Sequence, residues 1–214
     1  MRLTPELVRI HAHACGDGWL YGRVRKRSQW DIQKYNRNIK FCKEWNIGYS
    51  NKESQLLNEF KNDIRKLLPK SFIEEREDEI RVRSKILFND LKSLGANSSR
   101  LWVISNKIFN LAKENKINWI RSFFDDESTI EKSNDHNRIR IKLVNLKGLN
   151  QVKVLLNSLK LKSSLTGPNC DNTWYLTISG IENIVDFYKI IKLKHPSKRR
   201  KIEKIIKAYA PSGI

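Results

Sequence analysis

Two stretches decide the reading of this chain: Val8-Arg9-Ile10-His11-Ala12-His13-Ala14-Cys15-Gly16-Asp17-Gly18 and Asn118-Trp119-Ile120-Arg121-Ser122-Phe123-Phe124-Asp125-Asp126-Glu127-Ser128. Each reads as a helix with small residues at intervals, Ala12 and Gly16 in the first and Ser122 in the second. Each runs out on a carboxylate, Asp17 or Glu127. Small residues let two helices approach backbone to backbone, and a side-by-side pair would bring the two acids together. Carboxylates at the negative ends of two helices repel each other unless a cation lies between them. Oxygen-only ligation suits Mg²⁺ or Mn²⁺.

Working outward from the first stretch, Thr4 and Pro5 open a helix over Glu6 to Gly16. A strand is expected over Trp19–Arg27 and a second over Asn38–Tyr49. Leu56, Leu57, Phe60, Ile64, Leu67 and Leu68 follow at helical spacing. A strand over Glu79–Arg83 and a helix over Lys85–Leu94, closed by Gly95, complete the first half. The second half repeats this order: a helix from about Asn115 to Glu127, a strand over Arg138–Val144 and a helix over Leu149–Leu159. A strand over Thr173–Ile178, a helix around Ile184–Ile191 and a basic helix from Pro196 finish it. The expected organisation is therefore 1–96, a linker over 97–106, and 107–214.

Charge narrows the function. The 214 residues carry a formal +19, with a pI near 10.0. Residues 1–100 hold 21 basic and 13 acidic side chains and residues 101–214 hold 21 and 10, so the excess belongs to both halves. A polyanion is the natural partner, because each neutralised phosphate releases condensed counterions. Strand alternation places Arg23, Arg25 and Arg27, then Arg81 and Arg83, then Arg138, Arg140 and Lys142, on faces that read as almost purely positive. With Lys40, these are the candidate DNA-binding residues. An antiparallel sheet with helices on one side and cations on the other is a saddle for nucleic acid.

No apolar run of about eighteen residues exists to span a membrane. The start, Met1 to His13, lacks the pattern of a secretion signal and reads as mature protein. Three scattered cysteines, Cys15, Cys42 and Cys170, suit a reducing, cytoplasmic setting and argue against a disulfide frame or zinc finger. No P-loop, GxGxxG or Ser/His/Asp set is present. His11 and His13, two apart on a helix, make poor joint metal ligands. Asp125 reads as structural, and the tryptophans read as core.

The two stretches resemble the motifs of the LAGLIDADG homing endonucleases in their two-motif, single-chain form. Ile10–Gly18 is similar to the first motif and Ile120–Ser128 to the second. Further echoes are Tyr49-Ser50-Asn51-Lys52-Glu53, Arg81-Val82-Arg83-Ser84-Lys85, Trp174-Tyr175-Leu176-Thr177-Ile178-Ser179-Gly180 and His195-Pro196-Ser197-Lys198-Arg199-Arg200. The resemblance implies an α+β fold of two pseudo-symmetric αββαββα halves. It also implies metal-dependent hydrolysis of both strands of a long, asymmetric DNA site by a monomer, intron-encoded or free-standing. Asp17 and Glu127 would hold the metal, with Gly16 and Asp126 contributing to its site. Asn51, then Lys52, Lys85 and Lys132, would organise solvent and charge near the scissile phosphates. The sequence departs from the family pattern at His11 and His13, where Leu or Ile is usual, at Asp126, where Ala or Gly is usual, and at Ser128, which replaces a closing Gly. The alternatives in the same fold are an RNA maturase acting on intron RNA and a nucleic-acid-binding protein that does not cleave.

Overall fold

The computed structural model describes residues 2–26, 41–132 and 136–209. Arg27 and Lys40 lie outside the described residues, as does the side chain of Arg25. Helix α1 (Pro5–Cys15) starts on Thr4, whose side chain accepts the Leu7 N–H, and carries Pro5 in its first turn. It stops at Gly16, whose N–H bonds the carbonyls of Ala12 and His13. Strands β1 (Gly18–Lys26) and β2 (Phe41–Ser50), helix α2 (Ser54–Leu67), strands β3 (Ile73–Arg76) and β4 (Glu79–Arg83), and helix α3 (Lys85–Ser93) follow. After the short α4 (Asn106–Phe109), the second half repeats the series. It runs α5 (Lys113–Glu127), β5 (Ser128–Lys132), β6 (Asn137–Leu143), α6 (Leu146–Ser158), β7 (Ser164–Thr166), β8 (Trp174–Ser179) and α7 (Ile181–Ile191), with α8 (Pro196–Tyr209) appended. Each half is thus αββαββα.

The strands form two antiparallel four-stranded sheets of the same order, β1-β2-β4-β3 and β5-β6-β8-β7. Ile47, Tyr49, Ile80 and Val82 turn one face of the first sheet into the core, and Ile130, Ile139, Ile141, Leu176 and Ile178 do the same in the second. The alternating residues, among them Arg23, Arg81, Arg83, Arg138, Arg140 and Lys142, lie on the opposite faces. Helices cover the inner faces. Phe60, Trp102, Trp119, Phe123, Phe124 and Phe187 are fully enclosed, and burying a side chain of this size stabilises by about 1.5–3 kcal/mol.

The expected strands and helices are present with ends displaced by a few residues. Three strands go beyond them. β3 (Ile-Glu-Glu-Arg) is mostly charged, β7 has three residues, and β5 begins directly where α5 ends, without a turn residue between. β3 and β7 are edge strands, so they need satisfy only one neighbour. The expected linker is anchored: Trp102 is buried, its carbonyl accepts the Asn145 amide at 2.7 Å, and Gln151 bonds both the N–H and the carbonyl of Ile104. These contacts tie 102–104 to α6.

Candidate metal centre and nucleic-acid face

Helices α1 and α5 pack side by side, and Ala12 and Ser122 are buried along the seam. Gly16 sits opposite Asp126: a Cβ at position 16 would lie 2.8 Å from Asp126 Oδ2 and 2.9 Å from its Cβ. The bulk of Asp126 is therefore accommodated by the glycine facing it.

The seam is polar where the sequence departs from apolar residues. His11 is buried, and burial holds its imidazole down to about 4, so at neutral pH it is uncharged. Its Nδ1 accepts the indole N–H of Trp119 at 2.9 Å. His13 is also buried. Burial opposes its charge, but Asp126, followed by Glu59 and Asp125, overcomes that and raises the imidazole pKa above its ordinary value. Its Nδ1 lies 2.9 Å from Asp126 Oδ2, and Tyr49 donates to Asp126 Oδ1 at 2.7 Å. Burial first, and Asp126 second, push the Tyr49 phenol far above its usual range, which keeps it a donor. One carboxylate from the second half is thus held by two groups from the first.

Immediately beyond this seam a cavity of about 550 Å³ opens, lined by Asp17, Asn51, Lys52, Glu127, His195 and Lys198 among others. Asp17 and Glu127 sit where the motif helices pass into β1 and β5, the first strands of the two sheets. Asn51 Nδ2 donates to Asp17 Oδ2 at 2.9 Å. Withdrawal from water, then the charge of Asp126, push the Asp17 carboxyl up to about 6, against Lys198 and the Asn51 hydrogen bond. Burial, then Asp17 and Asp126, push Glu127 up to about 7, again against Lys198. Two carboxyls raised in part by each other's neighbourhood mark a place short of positive charge.

The other expected groups divide. Lys52 lines the cavity, whereas Lys85 opens α3 and Lys132 closes β5, and neither is among the lining residues. Gly16 lies at the seam. The side-chain oxygens of Asp126 are engaged by His13 and Tyr49, and its carbonyl accepts from Lys198 at 2.9 Å. Asp125 is buried and accepts the backbone N–H groups of Lys194 and His195, which fixes the approach to α8. Ser128 donates from its hydroxyl to the Phe124 carbonyl at 2.6 Å and so closes α5 by a hydrogen bond. Lys198, Tyr49 and the His13–Asp126 pair were not legible as a unit, because their partners lie far apart in sequence.

Residues 114–192 match the model of the LAGLIDADG-like domain. The second half of the chain therefore carries a LAGLIDADG-like domain. The whole chain is similar in fold to mesophilic variants of the homing endonuclease I-DmoI, with TM-score 0.64 and 20% identity over 94% of this chain and 97% of that one. It is also similar to the LAGLIDADG homing endonuclease I-GzeII in complex with its DNA target, with TM-score 0.58 and 13% identity over 96% and 90%. A third similar structure is full-length DUF199/WhiA from Thermatoga maritima, with TM-score 0.57 and 16% identity over 99% and 63%. No curated protein sequence matches significantly.

The outward faces of the two sheets correct one expectation. They carry cations, but five of these are paired with acids and the faces are not purely positive. Arg23 bonds Glu44, its cross-strand partner, at 2.9 Å. Arg81 bonds Glu79 at 2.7 Å and lies over the Trp19 ring. Arg138 and Arg140 share Glu131, and Lys142 meets Asp171 at 2.6 Å. Arg140 and Lys142 also lie over Tyr175. Acids across the strand pair or two residues along it produce this pairing, with Asp171 supplied by the β7–β8 connection, and alternation within a single strand does not reveal it.

Proposed function

We propose that this protein is a LAGLIDADG-type DNA endonuclease that hydrolyses both strands of a long, asymmetric duplex site with divalent metal, Mg²⁺ or Mn²⁺. The observation that carries the reading is the convergence of Asp17 and Glu127, one from each half, on one cavity at the heads of both sheets. Structures of the similar I-DmoI contain DNA with Mn or Ca, and a variant was studied with its target DNA and Mg.

The donor set fits a hard cation. Among the described residues no cluster of three or more His, Cys, Asp or Glu side chains forms a ready-made cage. Two carboxylates therefore leave room for backbone carbonyl, water and phosphate oxygens, the mixture that Mg²⁺ accepts. A divalent ion held by Asp17 and Glu127 would activate water and polarise the scissile phosphate. The protein's own part is to orient Asp17 through Asn51, to exclude bulk water from Glu127, and to supply Lys52 to the cavity wall. Outward-facing Arg23, Arg81, Arg138, Arg140 and Lys142 would exchange their acid partners for phosphates and base edges, joined by Arg83. No described helix is long and apolar enough to cross a membrane. We place the protein in the cytoplasm as a monomer whose halves, 1–96 and 107–214, each supply one half-site, encoded in an intron or free-standing.

The test is incubation with the intron-less allele of the host gene, with Mg²⁺ or with EDTA. Double-strand breaks that require the metal are expected. Intact DNA with Mg²⁺, together with tight binding of the intron transcript, would replace the nuclease by an RNA maturase. Intact DNA that is tightly bound would leave a non-cleaving binder.

A further inference from the structure

The last turn of a helix leaves carbonyl oxygens unpaired and carries the negative end of the helix dipole. At the end of α5 that negative end points toward a cavity already holding Asp17 and Glu127. An ammonium group meets it. Lys198, in the first turn of α8, donates from Nζ to the carbonyls of Phe124 (3.2 Å), Asp125 (2.5 Å) and Asp126 (2.9 Å). The grip is reciprocal, since the Asp125 carboxylate takes the backbone N–H groups of Lys194 and His195 just before α8. Three acceptors use all three protons of an ammonium. Lys198 therefore cannot swing to a phosphate without giving up this cap.

The end of α1 is finished differently. Its last carbonyls are met by the N–H of Gly16, and Asp17 is held by the uncharged Asn51 amide. The carbonyls at the end of α5 are thus met by a cation, and those at the end of α1 by a backbone N–H.

We infer that Lys198 is a resident cation of the centre: it fixes the last turn of α5, and with it Glu127, while its positive charge weakens the cavity's hold on a divalent ion until DNA is bound. The inference rests on the proposed metal centre. Repulsion between an ammonium and a divalent ion persists over several ångström even in a water-rich dielectric. Scissile phosphates brought by the DNA add negative charge to the same cavity and offset that repulsion. Lys198 is accordingly a positioning residue that makes metal loading follow DNA binding.

The experiment measures free Mn²⁺ by its paramagnetic resonance signal, at pH 8, with the full chain alone and with duplex DNA. Lys198→Met should lower the thermal midpoint of the metal-free protein yet bind Mn²⁺ about fivefold more tightly without DNA, as loss of a nearby unit charge dictates. Lys198→Arg should bind Mn²⁺ close to the wild-type value. A cap with only a structural role would lose stability and metal affinity together, so unchanged or weaker Mn²⁺ binding by Lys198→Met overturns the inference. Should Lys198→Met fail to fold, the wild-type protein decides by lysine-ammonium NMR. A slowly exchanging ¹⁵Nζ signal, absent in Lys198→Arg and displaced by Ca²⁺, is expected, and a missing or unresponsive signal overturns the inference. Wild-type protein that takes up no Mn²⁺ even with DNA present would instead count against the metal centre itself.

Discussion

The ends of α1 and α5 are the same structural feature met twice, and they are built from different residues. Gly16-Asp17-Gly18 closes the first and Asp126-Glu127-Ser128 the second. At the first position of each triplet a glycine faces an aspartate, and the space that one lacks the other fills. At the third, a Cβ on Gly18 would fall 2.6 Å from the His13 carbonyl, whereas Ser128 bonds the Phe124 carbonyl through its hydroxyl. Only the middle position is a carboxylate in both. The departures at His11, His13 and Asp126 are met by partners across the seam, and that at Ser128 by the Phe124 carbonyl within α5. Residues that depart from the motif when read singly thus form a complementary fit with their partners.

The largest way to break that complementarity is Asp126→Ala. It leaves the buried His13 ring and the buried Tyr49 hydroxyl without their shared partner, and should cost about 2–5 kcal/mol of unfolding free energy in a denaturant titration, the sum for two buried polar groups left unpaired. Unchanged stability would mean that Asp126 is not held across the seam. Gly16→Ala tests the other side of the same contact. Asp126 is anchored at both oxygens and cannot turn aside, so the added methyl should cost about 1–3 kcal/mol by the same measurement. In the Asp126→Ala background that penalty should shrink, which a double-mutant cycle would register as coupling. Trp119→Phe is the mildest change. It removes the donor to His11 while retaining most of the ring, and should cost about 1 kcal/mol, with the remainder of the seam unaffected.

How much of this was readable depends on whether the cause was local. The amphipathic spacing of α1, α2, α5 and α6 and the alternation of Arg138, Arg140 and Lys142 with Ile139, Ile141 and Leu143 are local, and they marked both halves and both acids. Short elements were not legible, because β7 has three residues and β3 is mostly charged, so neither displays a hydrophobic period. The polar seam was not legible either. His11 and His13 read as misplaced on an apolar helix, since the indole and carboxylate that bond their Nδ1 atoms come from more than a hundred residues away. Glu131 and Glu44 neutralise arginines across strands, a relation that register alone creates. Lys198 was visible within a basic run, but nothing in that run distinguishes the one lysine that turns inward onto α5 from the neighbours that face water.

The central claim is that one acid from each half forms a single shared centre. The most direct measurement is cleavage of each strand of a labelled target duplex by wild type, Asp17→Asn and Glu127→Gln in Mg²⁺, with binding followed in parallel. The account predicts that either substitution lowers the cutting of both strands by about a thousandfold or more, the loss of several kcal/mol of metal-derived stabilisation, while DNA binding persists. Each variant continuing to cut one strand at the wild-type rate would contradict it, because the two acids would then serve separate sites.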